Sequence, residues 1–202
     1  DVTTEDGPEV ILASKHAINP DGSGDNANVG DMLSGLNGNN PNGCCGFFQP
    51  SIDLVNAFKV DADGLPLLDN SYRTNPYKSD LGLTGPYTLD VTLSFDPRLD
   101  YTVGRRGVQF LDFGVMPGAG WVRDQNYAGP FVGMKAIIPQ SQFAAHATAD
   151  TYLTALDVNI IRLADVVLMA AECHVELGQL GEALTLVNSI RLRAAKLPAK
   201  LT

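Results

Sequence analysis

The side chains able to do chemistry are scattered along the chain. His16, His146 and His174 share no spacing that would gather metal ligands, and His174 falls beside the apolar stripe of a helical pattern, where a histidine is structural. There is no Gly-x-Ser-x-Gly elbow, and Gly118-Ala119-Gly120 leads to Arg123 where a dinucleotide loop needs a third glycine. Asp61 and Asp63 before Gly64 resemble half of a calcium loop, but the rest of the ligand spacing is missing, so they read as a polar turn. Asp21 and Asp25 lie in a long loop without further ligands at hand. Arg98 after Asp96-Pro97, and Arg162 before Asp165, read as charge-paired struts that pin loops to helices, and Arg105 and Arg106 read as surface cations. These residues point to no catalytic group, no metal and no cofactor; the expectation is a protein that binds rather than an enzyme.

Recognition of a polar ligand is better served. Sugar binding needs flat apolar faces for C–H contacts, and amides and carboxylates for hydroxyls. Residues 19–46 supply Asn26, Asn28, Asn37, Asn39, Asn40 and Asn42, with no aromatic until Phe47 and Phe48. Trp121 is the only tryptophan and leaves the Gly/Pro-rich stretch 114–120 with Arg123, Asp124 and Tyr127 close behind. It is either a stacking platform or an anchor for its glycine-rich loop. The candidate binding residues are therefore Trp121, Arg123, Tyr127, Asn26, Asn28, Asn39 and Asn40, and the candidate face is built from the 19–46 and 118–127 loops.

Bulk properties narrow the partner. The chain has 202 residues, 45% of them apolar, enough for a sizeable core. Its formal net charge of −9 would repel a nucleic-acid backbone or an anionic bilayer surface. No apolar run reaches the ~18 residues of a membrane-spanning helix. The most apolar stretch, 158–177, carries Arg162, Asp165, Glu172 and Glu176. Three cysteines are too few for a disulfide scaffold. Cys44 and Cys45 are adjacent in a glycine-flanked turn and are expected either as thiols or as a vicinal disulfide; Cys173 is expected as a small buried residue.

The elements that must position these residues are uneven. Val10, Ile11 and Leu12 predict a short strand within 9–17. The Asn-, Gly- and Pro-rich stretch 19–46 predicts one long loop. Ser51 and Asp53 open a short helix with Leu54, Val55 and Phe58 on its apolar face. Short strands are expected at 101–103 and 131–138. Apolar residues from Ile160 to Val175 recur at helical spacing, predicting a helix over 159–177 that stops at Gly178. A second helix is predicted over 182–196, with basic residues at its C-terminal end and Pro198 beyond. The pair forms a helical hairpin similar to one tetratricopeptide repeat, with Ala171, Gly178 and Ala183 at its small-residue and turn positions. Ile161, Val166 and Leu168 lie off the main stripe, so the hairpin is expected to pack on helices absent from this sequence.

Several runs, in this order and spacing, resemble the SusD/RagB family of nutrient-binding outer-membrane lipoproteins. They are Cys45-Gly46-Phe47-Phe48-Gln49-Pro50-Ser51-Ile52-Asp53-Leu54-Val55-Asn56-Ala57-Phe58, Asp96-Pro97-Arg98-Leu99-Asp100-Tyr101, Gly118-Ala119-Gly120-Trp121, and Arg162-Leu163-Ala164-Asp165 leading to Glu172, then Gly181-Glu182-Ala183 and Asn188-Ser189-Ile190-Arg191. The resemblance implies a mainly α fold with extensive irregular loops: a loop-rich segment with short strands over 1–157, forming part of the ligand face, and a tetratricopeptide-like hairpin over 158–198. It implies that these residues correspond to the C-terminal half of the family. The N-terminal half with its lipidated cysteine, and a stretch after the hairpin, would lie outside them. It further implies a surface-exposed outer-membrane protein that binds glycans or similar nutrients and hands them to a TonB-dependent barrel transporter. The other reading of the hairpin is a helical-repeat protein that binds peptides or partner proteins.

Overall fold

In a computed structural model, which describes residues 2–37, 45–149 and 153–197, regular structure is sparse until residue 158. The chain begins with β1 (Val10–Ser14), then the short helices α1 (Val29–Ser34) and α2 (Ile52–Ala57), the two-residue strands β2 (Val103–Gly104) and β3 (Val132–Gly133), and the single turn α3 (Phe143–His146). It ends with β4 (Val158–Arg162) and two long helices, α4 (Leu163–Glu176) and α5 (Leu180–Ala195). β1 pairs antiparallel with β4, and β2 with β3, giving two two-stranded sheets. The regular part is thus mainly helical, set in extensive loops.

The largest departure from the sequence expectation is at the start of α4. The helix begins at Leu163, and the residues before it form β4, with Leu12 opposite Ile161 and Ser14 opposite Val158. Val158, Ile160 and Ile161 are β-branched and suit a strand, and over so short a run an apolar pattern fits either period. The switch is sharp because the helix start is capped twice. Asp165 accepts from the Arg162 backbone N–H at 3.0 Å, and the Leu163 N–H donates to the Glu9 carbonyl at 2.7 Å. α5 starts two residues earlier than predicted, at Leu180. The Arg193 guanidinium then reaches back to Glu9, so the same residue that caps α4 also tethers α5.

Three smaller corrections have local causes. The 19–46 stretch contains α1, whose N-cap Asn28 accepts from the Gly30 N–H at 3.0 Å; the low helix propensity of Gly30 hid it. Pro97–Tyr101 is a 3-10 turn, so the strand expected at 101–103 is β2 at Val103. Of the strand expected over 131–138 only Val132–Gly133 pairs. By contrast, α2 lies where it was expected, and its N-cap Ser51 hydroxyl accepts from the Leu54 N–H at 3.1 Å.

The core lies in the loop-rich part and has two halves. One gathers Leu36, Phe110, Met116, Trp121, Val122 and Val132, the other Val55, Tyr77, Leu99, Val103 and Phe131. Phe131 and Val132 enter opposite halves because consecutive residues of an extended chain face opposite ways. The hairpin is different. Its buried side chains are Ala164, Ala171, Ala183 and Ala194, while Met169, Leu177, Leu184 and Leu192 are exposed. Cys173, expected inside, is an exposed free thiol. It lies on a side of α4 that the described residues of the loop-rich part leave uncovered. Arg105, expected at the surface, is buried against the Tyr77 and Phe95 rings of the second core half and paired with Asp100.

Burial also creates a pH response. Asp31 is 4% exposed and its carboxyl is pushed up to about 6, chiefly by desolvation, with the Thr154 hydroxyl bond opposing. An acid whose folded pKa lies above its unfolded value costs stability once it must ionise. The cost is absent below about pH 4 and complete above about pH 6, where it reaches on the order of 3 kcal/mol. Asp31→Asn should therefore gain stability over the wild type as pH rises through that window. Glu5 is shifted up as well, mainly by burial, so the check is the difference between the two unfolding curves. A difference independent of pH between 4 and 7 would refute this role of Asp31.

Candidate functional site

The 118–129 loop is built from its buried end outwards. Gly118 has φ 97° and ψ −133°, a conformation open to glycine, and a Cβ there would lie 2.5 Å from Asp80 Oδ2. Ala119 and Gly120 after it are exposed, and the 3-10 turn Ala119–Trp121 brings the indole inwards. Trp121 is 8% exposed and meets Phe110 and Phe113 edge-on, with ring centroids 5.6 and 6.4 Å away. An indole so placed has no free face for a sugar. Of the two readings of Trp121, this packing favours the loop anchor.

Beyond Trp121 the chain surfaces. The Arg123 guanidinium lies 4.1 Å over the Phe47 ring, and its Nη1 donates to the Cys45 carbonyl at 3.0 Å. Asp124 Oδ1 accepts from the Asn126 N–H at 2.9 Å, and its carbonyl accepts from the Tyr127 N–H at 3.2 Å. That turn lifts Tyr127 into solvent, 74% exposed. Gln49 joins this loop to the 45–49 segment by three bonds. Its Nε2 donates to the carbonyls of Asp124 and Gly129 at 2.8 and 3.0 Å, and its Oε1 accepts from the Asp124 N–H at 3.2 Å. The Asn37 N–H donates to the Trp121 carbonyl at 3.2 Å and joins the end of the long loop to the same surface.

The result is two adjoining loops that carry exposed Phe47, Phe48 and Tyr127 and are joined by side-chain to backbone bonds. Cys45 is disulfide-bonded with φ 90°, while Cys173 is free, so a bridge between those two is excluded; Cys44 lies outside the described residues. Gln125 in the same loop and Asp80 beneath it each bury a polar atom, Nε2 and Oδ2, with no hydrogen-bond partner. Burial pushes the Asp80 carboxyl up, and Arg106 at 3.6 Å opposes this.

The sequence candidates are only partly brought together. Arg123 and Tyr127 are on the adjoining loops, and Trp121 supports them from below. Asn26 donates to Asn19 at 3.0 Å within its own loop. Asn28 is buried, capping α1 and donating to the Leu156 carbonyl at 2.9 Å, so its amide is already used. Asn39 and Asn40 lie outside the described residues. Sequence reasoning noted Phe47 and Phe48 but did not place them, or Gln49, among the candidate binding residues. Two adjacent phenylalanines behind Cys45-Gly46 cannot both enter a core through a turn, and that was the available signal.

Other candidates have ordinary roles. Asp61 Oδ1 accepts from the N–H groups of Asp63 and Leu65 at 2.9 and 2.8 Å, closing a turn. His174 Nδ1 is 2.6 Å from Gln179 Oε1. Arg98 is forked onto Asp96, and Arg162 lies 3.4 Å from Asp165. Among the described residues, no three His, Cys, Asp or Glu side chains are placed to hold a metal ion, and no helix is long and apolar enough to cross a membrane. Compared with known proteins, residues 8–202 match the family described as the SusD family. No curated protein matches the chain.

Proposed function

Because the chain belongs to the SusD family, whose members bind nutrients at the bacterial cell surface, we propose that its own task is non-catalytic binding of a glycan for delivery to a TonB-dependent outer-membrane transporter. The observation that carries this reading is the exposure of Phe47, Phe48 and Tyr127 on two loops that Gln49 and Arg123 tie together. Exposed, preorganised rings suit the apolar faces of sugar rings, and Arg123 and the polar loop backbone around them suit hydroxyls. Residues 158–198 are taken as one tetratricopeptide-like unit of a helical scaffold, with the loops of 1–157 forming part of the ligand face. The protein then sits on the outer membrane through a lipid anchor outside these residues.

The test is direct. A glycan array selects the oligosaccharide, and calorimetric titration compares wild type with Phe48→Ala/Tyr127→Ala. Both side chains are exposed, so the fold should survive. Affinity should fall about tenfold or more, on the order of 1–3 kcal/mol. Unchanged affinity would remove these side chains from the site. A second reading, a helical-repeat protein that binds peptides, is favoured by the exposed apolar side chains Met169, Leu177, Leu184 and Leu192 on the hairpin. Tight peptide binding with no glycan binding would select it.

A further inference from the structure

A cleft of about 830 Å³ lies between α5 and the 57–66 and 95–98 segments, and shares no lining residue with the loops carrying Phe47, Phe48 and Tyr127. We infer that this cleft is a second ligand site, for a small apolar molecule that carries a carboxylate. Its size is that of an ordinary small-molecule pocket, and its walls are largely apolar, with Phe58, Pro66, Phe95 and Leu192 among them. Such walls favour a hydrocarbon or aromatic body over a polyhydroxylated one.

The choice of charge comes from which polar groups are already engaged. Three cations line the cleft, Lys59, Arg98 and Arg191, against two carboxylates, Asp63 and Asp96, in a chain of net charge −9. Lys59 has its ammonium bound to the carbonyls of Tyr72 and Asn75. Arg98 is held in a fork by Asp96 at 2.9 and 2.6 Å, and the same contact holds the Asp96 carboxyl below the usual carboxylate range. Arg191 is different. It is exposed, and the Gly64 carbonyl at 3.5 Å is at the limit of a hydrogen bond, so most of its five donors are available. Asn188, one turn earlier on α5, also lines the cleft and can share an oxygen with it. An arginine fork above apolar walls is suited to a carboxylate on an apolar body.

The site is separate from the proposed glycan face, so its test is independent of that reading. The whole chain is titrated with 4-phenylbutyrate, 4-phenylbutyramide and 4-phenylbutylamine, which share one body and differ in charge. The acid should bind about tenfold more tightly than the amide, and the amine most weakly. Arg191→Gln should bring the acid down to the amide, about tenfold, and leave the amide unchanged. Phe58→Ala should weaken acid and amide alike; circular dichroism reports whether that variant folds, and the Arg191 result stands without it. Equal affinity for the three probes, preference for the amine, no binding of the acid, or an unchanged acid affinity in Arg191→Gln would each overturn the assignment.

Discussion

Replacing Asp100 by alanine should destabilise the protein by about 3–5 kcal/mol, the cost of leaving a buried charge without its partner. The Arg105 side chain is 2% exposed. Its Nε and Nη2 both donate to Asp100 Oδ1, at 2.9 and 2.5 Å. The guanidinium lies over the rings of Tyr77 and Phe95, at 5.2 and 5.5 Å, so it is sealed from water by apolar groups. Removing the carboxylate leaves the buried guanidinium without its partner. The pair also fastens the Pro97–Tyr101 turn to the residue following β2. The check is urea unfolding of Asp100→Ala beside Asp100→Ala/Arg105→Met. The double variant should recover part of the loss, because a buried ion pair replaced by apolar side chains is often close to neutral. A loss under about 1 kcal/mol in the single variant would show that Arg105 finds water, and would sink the argument.

Trp121→Ala should cost a similar 3–5 kcal/mol, because it empties a large volume between Phe110 and Phe113 in the first core half. Trp121→Phe should cost less and keep the loop in place. Since the indole is buried, oligosaccharide affinity in Trp121→Phe should stay within about threefold of wild type. The two measurements separate support from contact. A folded Trp121→Phe that no longer binds sugar would make Trp121 a ligand residue and refute the anchor. A Trp121→Ala variant as stable as the wild type would mean the loop is held by its hydrogen bonds alone.

What the sequence by itself determined follows from local rules. Ser51 two residues before Asp53 specifies the start of α2, because an N-cap and an acid in the first turn act within one turn of backbone. Gly178, at φ 73°, ends the first helix of the hairpin where a left-handed residue was expected. The glycine and proline distribution of residues 1–157 foretold the irregular backbone of the described residues there, and the ordered motifs from Cys45 to Arg191 pointed to the family that the match over residues 8–202 establishes. None of these depends on distant partners.

The tertiary structure alone decided the rest. Val158–Arg162 became a strand because β1, nearly 150 residues earlier, offers a ladder that a helical start would leave unpaired. Arg105 went inside with Asp100 at 2.5 Å and two rings over it, whereas Arg106, 3.6 Å from Asp80 and over the single ring of Tyr87, stayed half-buried. Trp121 was undecided between platform and anchor until Phe110 and Phe113 were seen to enclose it. The loops carrying Phe47, Phe48 and Tyr127 adjoin because Gln49 bonds to residues 75 and 80 positions away. Side-chain types and spacing record what a residue can do locally; contacts across such separations depend on how the loops close, and no short window of sequence carries that information.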